Sequence, residues 1–475
     1  MSYSHLYKIL VPNAPLHRRS EKDIFVTSES ASRRQSQRFL LDKPIQPGLQ
    51  KPKLISSYEG SIDHLLFAFP NYVVDDPALV AAYKSLIKEL RVGTQFIVIH
   101  HEFARSAVES WFKTAGHPSS NITFVSFRDY VSFTDWAEDA YVSLLDAADD
   151  ASYLMEPWSF PRAGDALIAE SVQDFSDITA TQAPLIFQGG NCLIGSDFWL
   201  LGKDYFADSV ALTQDSRPPV ITPSGTTPEA FVKKLFTDYV DGSRKLIVLG
   251  TNRAIPIRTF YGTEDQGNYY IDIAGDGAGT FQPIFHIDML ISLIGINAGG
   301  DFEVLVGSPA LADQLLGTTS PYALQNVYDE FENQLTAAGL KVYRNPLVHR
   351  PTLGNSFTVE QLRSIANQPS NEALLDAVNE LVSAGASETS TATVRNWHHI
   401  TWNNCLVENS TAQGKHVYLP TFGHGLNSDL KVIDQKMKEI WEQLGFTVHM
   451  LGDFNKFAER QGVVHCIKKY LRRGV

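Results

Sequence analysis

A thiol, an imidazole and two carboxylates, spread over most of a 475-residue chain, are the residues best suited to chemistry. Cys466 ends the run Gly462-Val463-Val464-His465-Cys466, His286 and Asp288 are separated by one residue, and Asp139 closes Trp136-Ala137-Glu138-Asp139. Together they suit attack on a flat, positively charged carbon: the thiol is the nucleophile, the imidazole moves protons, and the carboxylates hold the cation. A lone cysteine is more often a small buried apolar residue. Around Cys466, however, Gly462 permits a tight turn, and Lys468, Lys469, Arg472 and Arg473 follow closely. Nearby positive charge favours the reactive thiolate. Cys192 and Cys405 lie in apolar, strand-like runs and read as inert.

On an extended segment His286 and Asp288 point to one face, with Phe285, Ile287 and Met289 directed into the core. Two polar groups on the wet face of an apolar strand are costly unless they are used or paired. Trp136-x-x-Asp139 by itself reads as an acidic turn. Gln188-Gly189-Gly190-Asn191 reads either as a hairpin turn or as a close approach of the backbone to something else.

The elements that must position these groups alternate in character. Strand-like runs at 65–69, 96–100, 122–125 and 245–249 are separated by amphipathic helical patterns at 77–90 and 429–444. The fold class is α/β. Strands recur in close pairs, Leu185–Ile194 with Phe198–Leu201 and Thr401–Val407 with His416–Leu419, each near a helix and a further single strand. A repeated module explains that pattern. Residues 262–283, rich in Gly and Asp, and 384–393, nearly all Ala, Ser, Thr and Gly, read as long loops: lids, binding loops or surface insertions. Residues 1–53 read as an N-terminal arm, partly disordered, ahead of a catalytic domain over 54–475.

The net charge is −13, made of +6 over residues 1–53 and −19 over the rest. An acidic body disfavours nucleic acid and favours cationic substrates. Three dispersed cysteines exclude a disulfide framework or a zinc site, and no apolar run reaches the length of a membrane span. A reducing, cytoplasmic setting is expected.

Taken in order, these motifs resemble those of the guanidino-group-modifying superfamily, and most closely the catalytic region of protein-arginine deiminases. The matching pieces are Trp136 with Asp139, Gly189-Gly190-Asn191, His286 with Asp288, Asn403-Asn404-Cys405-Leu406, and Asp453-Phe454 followed by Arg460-Gln461-Gly462-Val463-Val464-His465-Cys466. The resemblance covers about residues 55–475. It implies a five-bladed, pseudo-symmetric α/β propeller, the pentein fold. It also implies a hydrolase acting on C–N bonds of linear amidines, converting an arginine-type guanidinium to a ureido group and ammonia through a thiouronium on Cys466. By resemblance His286 is the general acid/base, and Asp139 and Asp288 bind the guanidinium, each through two hydrogen bonds. Trp136, Asn191, Arg460 and Arg162 of Ser159-Phe160-Pro161-Arg162 are carried over as substrate-binding residues. Val142 and Leu193 stand where calcium-binding carboxylates would be in the animal enzymes, so no metal or other cofactor is expected. The expected partners are a cationic guanidino substrate and, at most, a second copy of the chain in a homodimer; neither nucleic acid nor membrane is expected.

Two carboxylates beside Cys466 should raise its pKa, and a bound cation would reverse that field, so activation of the thiol would be substrate-assisted. An amidinotransferase sharing the same covalent intermediate and a non-catalytic guanidine-binding protein are the alternatives. A papain-like protease is set aside, because there the cysteine precedes the histidine in the chain.

Overall fold

The computed structural model describes Leu10 and residues 49–474, apart from 163, 254, 256–259, 275–280 and 368–370. The arm expected over 1–53 therefore lies outside the described residues except at Leu10 and from Leu49 onward, as does the stretch 275–280 of the Gly/Asp-rich segment. The strand Pro52–Leu54 already pairs antiparallel with Val142–Asp146.

The described strands form five sheets, and one unit recurs in all of them: an antiparallel pair, then a helix, then a strand that returns parallel to the second member. Val142–Asp146 and Ala151–Glu156 are followed by Thr179–Gln182. Cys192–Ile194 and Phe198–Gly202 are followed by Lys245–Leu249. Ile291–Ile296 and Phe302–Ser308 are followed by Lys341–Thr358, and Leu406–Ser410 and Gly414–Thr421 by Thr447–Asp453. In the fifth unit the pair joins the two ends of the fold: Lys468–Gly474 runs antiparallel to Ser61–Phe69, which lies parallel to Gln95–His101. That pairing seats the segment after Cys466 beside Ser61–Phe69.

The local chemistry of these units is simple. Parallel strands covered on both faces must be apolar throughout, and Leu65 to Phe69 are fully buried. Three of the crossover helices open with the same device, a capping side chain followed by proline. Asp76 caps Pro77–Glu89, Thr227 caps Pro228–Tyr239 and Ser308 caps Pro309–Leu316. The capping oxygen accepts from a backbone N–H in the first turn, while proline has no N–H to leave orphaned there. The helices expected at 77–90 and 429–444 run over Pro77–Glu89 and Lys431–Gln443, and all four strand-like runs are strands.

Elsewhere the structure differs from the sequence reading. Only Cys192–Ile194 of the run Leu185–Ile194 is strand, because Gly189–Asn191 forms a 3-10 turn. The run Thr401–Val407 is divided between the end of Thr391–Thr401 and the start of Leu406–Ser410. Much of the segment 262–283 belongs to a hairpin, Phe260–Asp265 with Asn268–Ile273. It turns at Gln266 and Gly267, with φ of 51° and 83°, the left-handed pair that suits a two-residue hairpin. This hairpin lengthens the third sheet to six strands. Its inner face, helices Val359–Ala366 and Glu372–Ser383, and Leu10 form a separate apolar cluster. Among the described residues no helix is long and apolar enough to cross a membrane.

Candidate active site

Three short turns carry the candidate groups, and small residues let the turns meet. A Cβ on Gly189 would lie 1.9 Å from the Glu138 carbonyl oxygen, so only glycine lets this turn pack against the Trp136–Asp139 segment. On Gly190 it would lie 2.5 Å from His286 Nδ1 and 3.2 Å from Asp288 Oδ2. Asn191 then ties the turn to its neighbour. Its Oδ1 accepts from Ile287 N at 3.0 Å and from Gln282 Nε2 at 3.0 Å, and its Nδ2 donates to Gln282 Oε1 at 3.2 Å. Every residue of Gly-Gly-Asn is thereby accounted for by packing. Asn191 was expected to meet substrate; its amide is instead engaged in holding the histidine turn.

That turn is not the strand anticipated. His286 is extended, with φ −128° and ψ 143°, and Ile287–Met289 is a 3-10 turn. The alternation still sorts the side chains, since Phe285, Ile287 and Met289 join the main apolar core. His286 Nε2 meets Gln188 Oε1 at 2.8 Å and Tyr205 Oη at 3.4 Å, which leaves Nδ1 directed toward Asp139 Oδ1 at 3.7 Å.

Cys466 is held by Asn404, whose role the sequence reading missed. Asn404 Oδ1 accepts from the backbone N–H of His465 at 2.9 Å and of Cys466 at 3.2 Å, while its Nδ2 lies 3.3 Å from Cys466 Sγ. Its neighbours are fixed in turn: Asn403 pairs with Asn345, and Trp402 Nε1 donates to Asp434. The signal was the adjacent Asn403-Asn404, but nothing in the sequence said which asparagine would face the thiol. Asp288 Oδ2 lies 3.8 Å from Cys466 Sγ and 2.8 Å from His465 Nδ1.

Cys466, His286, Asp139 and Asp288 thus come together, all buried. Three of their polar atoms have no hydrogen-bond partner among the described residues: Asp139 Oδ1, His286 Nδ1 and Asp288 Oδ1. Buried polar atoms are rarely left so, and each unsatisfied one carries a cost of about 1–3 kcal/mol. Two of them, Asp139 Oδ1 and His286 Nδ1, face each other at 3.7 Å. Each aspartate presents one open oxygen, not the two required for bidentate contact.

The remaining expected contacts serve the protein itself. Arg460 Nη1 and Nη2 donate to both oxygens of Asp135, at 2.7 and 2.8 Å, and its guanidinium lies over the Trp136 ring. Trp136 also covers Gly462, where a Cβ would be 2.2 Å from the ring. Gly462 is therefore required by packing, and it is Gln461, at φ 62°, that takes the left-handed turn. Arg162 Nη2 donates to Asp139 Oδ2 at 2.8 Å and Nε to Asp165 Oδ2 at 2.5 Å.

The electrostatics also differ from expectation. Lys468 and Lys469 do not face the thiol; their ammonium groups lie 2.7 and 2.8 Å from the two oxygens of Glu138. Burial opposes ionisation of Glu138, but the two lysines overcome it and hold the carboxyl down at about 2. Arg473 is occupied by backbone carbonyls of Ser56, Ser57, Gly60 and Val407. Burial, then Asp288 and Asp139, push the Cys466 thiol well above its usual range. Burial, assisted by Arg162, lowers His286 to about 3, and burial raises Asp288 well above the carboxylate range. With nothing bound, burial favours the neutral form of the thiol, the imidazole and the Asp288 carboxyl alike. The other two thiols are buried and pushed up to about 12. Among the described residues no cluster of His, Cys, Asp and Glu could hold a metal ion. Val142 and Leu193 both sit in apolar clusters.

No family model matches the sequence, and no curated protein matches it. Solved structures do. A structural-genomics target provisionally named an agmatine deiminase is 13% identical, with 91% of this chain and 98% of that chain covered and a TM-score of 0.53. The agmatine deiminase of C. jejuni is 11% identical, with 89% and 97% covered and a TM-score of 0.50. At such identity the likeness is one of fold alone: this chain shares the α/β fold of those two structures.

Proposed function

We propose that the chain is a guanidino-group hydrolase, a deiminase that converts an arginine-type guanidinium, in a peptide or as a small molecule, to a ureido group and ammonia. The observation that carries this reading is the meeting of Asp139, His286 and Asp288 beside Cys466, where Asp139 Oδ1, His286 Nδ1 and Asp288 Oδ1 each lack a hydrogen-bond partner among the described residues. Two open carboxylate oxygens are complementary to the N–H groups of one planar cation. The five sheets then act as blades of a propeller, with the three turns at its centre.

The reaction follows from the neutral resting state. Binding of a guanidinium between the two aspartates replaces the negative field at Cys466 with a positive one and lowers the thiol pKa. Sγ forms a bond to the guanidinium carbon as its proton passes to His286. His286 returns that proton to a terminal nitrogen, the C–N bond breaks, and ammonia leaves a thiouronium on Cys466. Water then adds to the same carbon with His286 taking its proton. The C–S bond breaks as the carbonyl forms, the His286 proton returns to sulfur, the hydroxyl proton is lost to solvent where the released ammonia becomes ammonium, and the ureido product departs.

A panel of peptidyl arginine, free arginine, agmatine and other guanidines, assayed for ureido product and ammonia, tests this reading. Turnover of at least one member, unchanged in excess chelator and lost in Cys466→Ala, is expected. Activity retained by Cys466→Ala would remove the mechanism, and ureido product formed only when an amine is added would favour amidino transfer.

A further inference from the structure

We propose that Arg162 is a positioning residue, a fixed internal counter-cation that keeps Asp139 ionised and turns a single carboxylate oxygen toward the substrate. The inference rests on the hydrolase reading and refines the part Arg162 plays in it.

Arg162 is itself a guanidinium, lying on one of the two carboxylates assigned to bind a guanidinium. Its side chain is buried, its Nη2 donates to Asp139 Oδ2 at 2.8 Å, and its Nε donates to Asp165 Oδ2 at 2.5 Å. Asp165 is anchored separately: its Oδ1 accepts from Thr134 N at 2.6 Å and its Oδ2 from Thr134 Oγ1 at 2.7 Å. The guanidinium carbon also lies over the Phe160 ring, 4.9 Å from its centroid. A guanidinium clamped at two edges and over one face is poorly placed to swing out and contact a substrate backbone. The effect on Asp139 is also specific. With Oδ2 taken, Oδ1 remains open beside His286 Nδ1.

The charges facing Asp139 can be enumerated. Burial raises its carboxyl pKa, Glu138 adds to the rise, and Arg162 and then Lys469 oppose it. Asp165 and Asp288 are further acids nearby, Tyr141 is neutral, and His286 is uncharged. Lys469 is already paired to Glu138, so Arg162 supplies the direct compensation. Loss of Arg162 would leave a buried carboxyl beside another acid, and it would protonate more readily. A protonated Asp139 no longer attracts a cation. The acid limb of kcat/KM should therefore move to higher pH, with activity recovered on the alkaline side.

The test is the profile of kcat/KM from about pH 5 to 9 for the full chain, Arg162→Gln and Arg162→Lys, with thermal unfolding of each. Arg162→Gln is expected to move the acid limb up by about one unit or more, a tenfold loss at fixed acidic pH, and to approach wild-type activity at high pH. Arg162→Lys keeps the charge and should leave the limb nearly in place. Arg162→Met is the neutral variant should Arg162→Gln fail to fold. An equal loss at every pH, or equal shifts in the neutral and Lys variants, would overturn the proposal. Normal wild-type turnover with an unmoved limb in the neutral variant removes only this role of Arg162. A wild-type protein that neither turns over nor binds any guanidine removes the hydrolase reading, and this inference with it.

Discussion

Gly190→Ala probes the site with a single methyl group. The Cβ would stand 2.5 Å from His286 Nδ1 and 3.2 Å from Asp288 Oδ2, whereas ordinary contact begins at 3.4 Å. One partner must therefore give way by about 0.9 Å, and His286 is the nearer. A reacting group misplaced by about 1 Å costs on the order of 10²-fold in rate. Crowding a packed interior by one methyl costs about 1–3 kcal/mol, so the fold should survive. The expected result is a fall in kcat of roughly a hundredfold with a native circular dichroism spectrum and a melting temperature lowered by only a few degrees. The assay is ureido formation from the best guanidine of the panel. A variant within threefold of wild type would show that Gly190 does not border the reacting groups, and the geometry assigned to His286 would fall with it.

Other expectations follow from the same arrangement. Because burial and two acids raise the Cys466 thiol, iodoacetamide should label it slowly at neutral pH and faster as pH rises. The cationic alkylator 2-chloroacetamidine should react far faster than iodoacetamide at the same pH, and equal rates, read by mass spectrometry, would contradict substrate-assisted activation. Asn404→Ala leaves the buried N–H of Cys466 without its acceptor, at about 1–3 kcal/mol, while His465 N–H keeps the backbone carbonyl of residue 404. Denaturant unfolding should show that loss, and kcat should fall more than KM rises. Glu138→Gln strands two buried ammonium groups and should destabilise by about 3–5 kcal/mol. Glu138 titrates near 2 instead of 4.5, so its contribution is present above the unfolded value and is lost as pH falls toward 2. The stability difference between wild type and Glu138→Gln should shrink over that acid range.

Much of this was readable in the sequence where pattern and physics coincide. Apolar runs such as Leu65 to Phe69 can only be covered strands, and Asp76-Pro77 announces a helix start. The four candidate residues were recognisable because thiol, imidazole and acids stand out by type and by order along the chain. Their supports were not, because contacts between Asn404 and Cys466 or between Gln188 and His286 join residues 62 and 98 positions apart. Charge was misread for the same reason. Lys468 and Lys469 adjoin Cys466 in sequence, yet the strand that carries them directs both toward Glu138. Arg162, Arg460 and Asn191 have the donors a substrate site needs, and sequence alone does not reveal that protein acceptors already use them.

The central claim, covalent capture of a guanidinium carbon by Cys466, is tested most directly by acid-quenched intact-mass analysis during turnover. A species heavier by the substrate less one ammonia, mapped to the peptide bearing Cys466 and absent from Cys466→Ala, is the predicted result. Steady turnover with no adduct on Cys466, or an adduct carrying only the bare amidino group, would contradict the account.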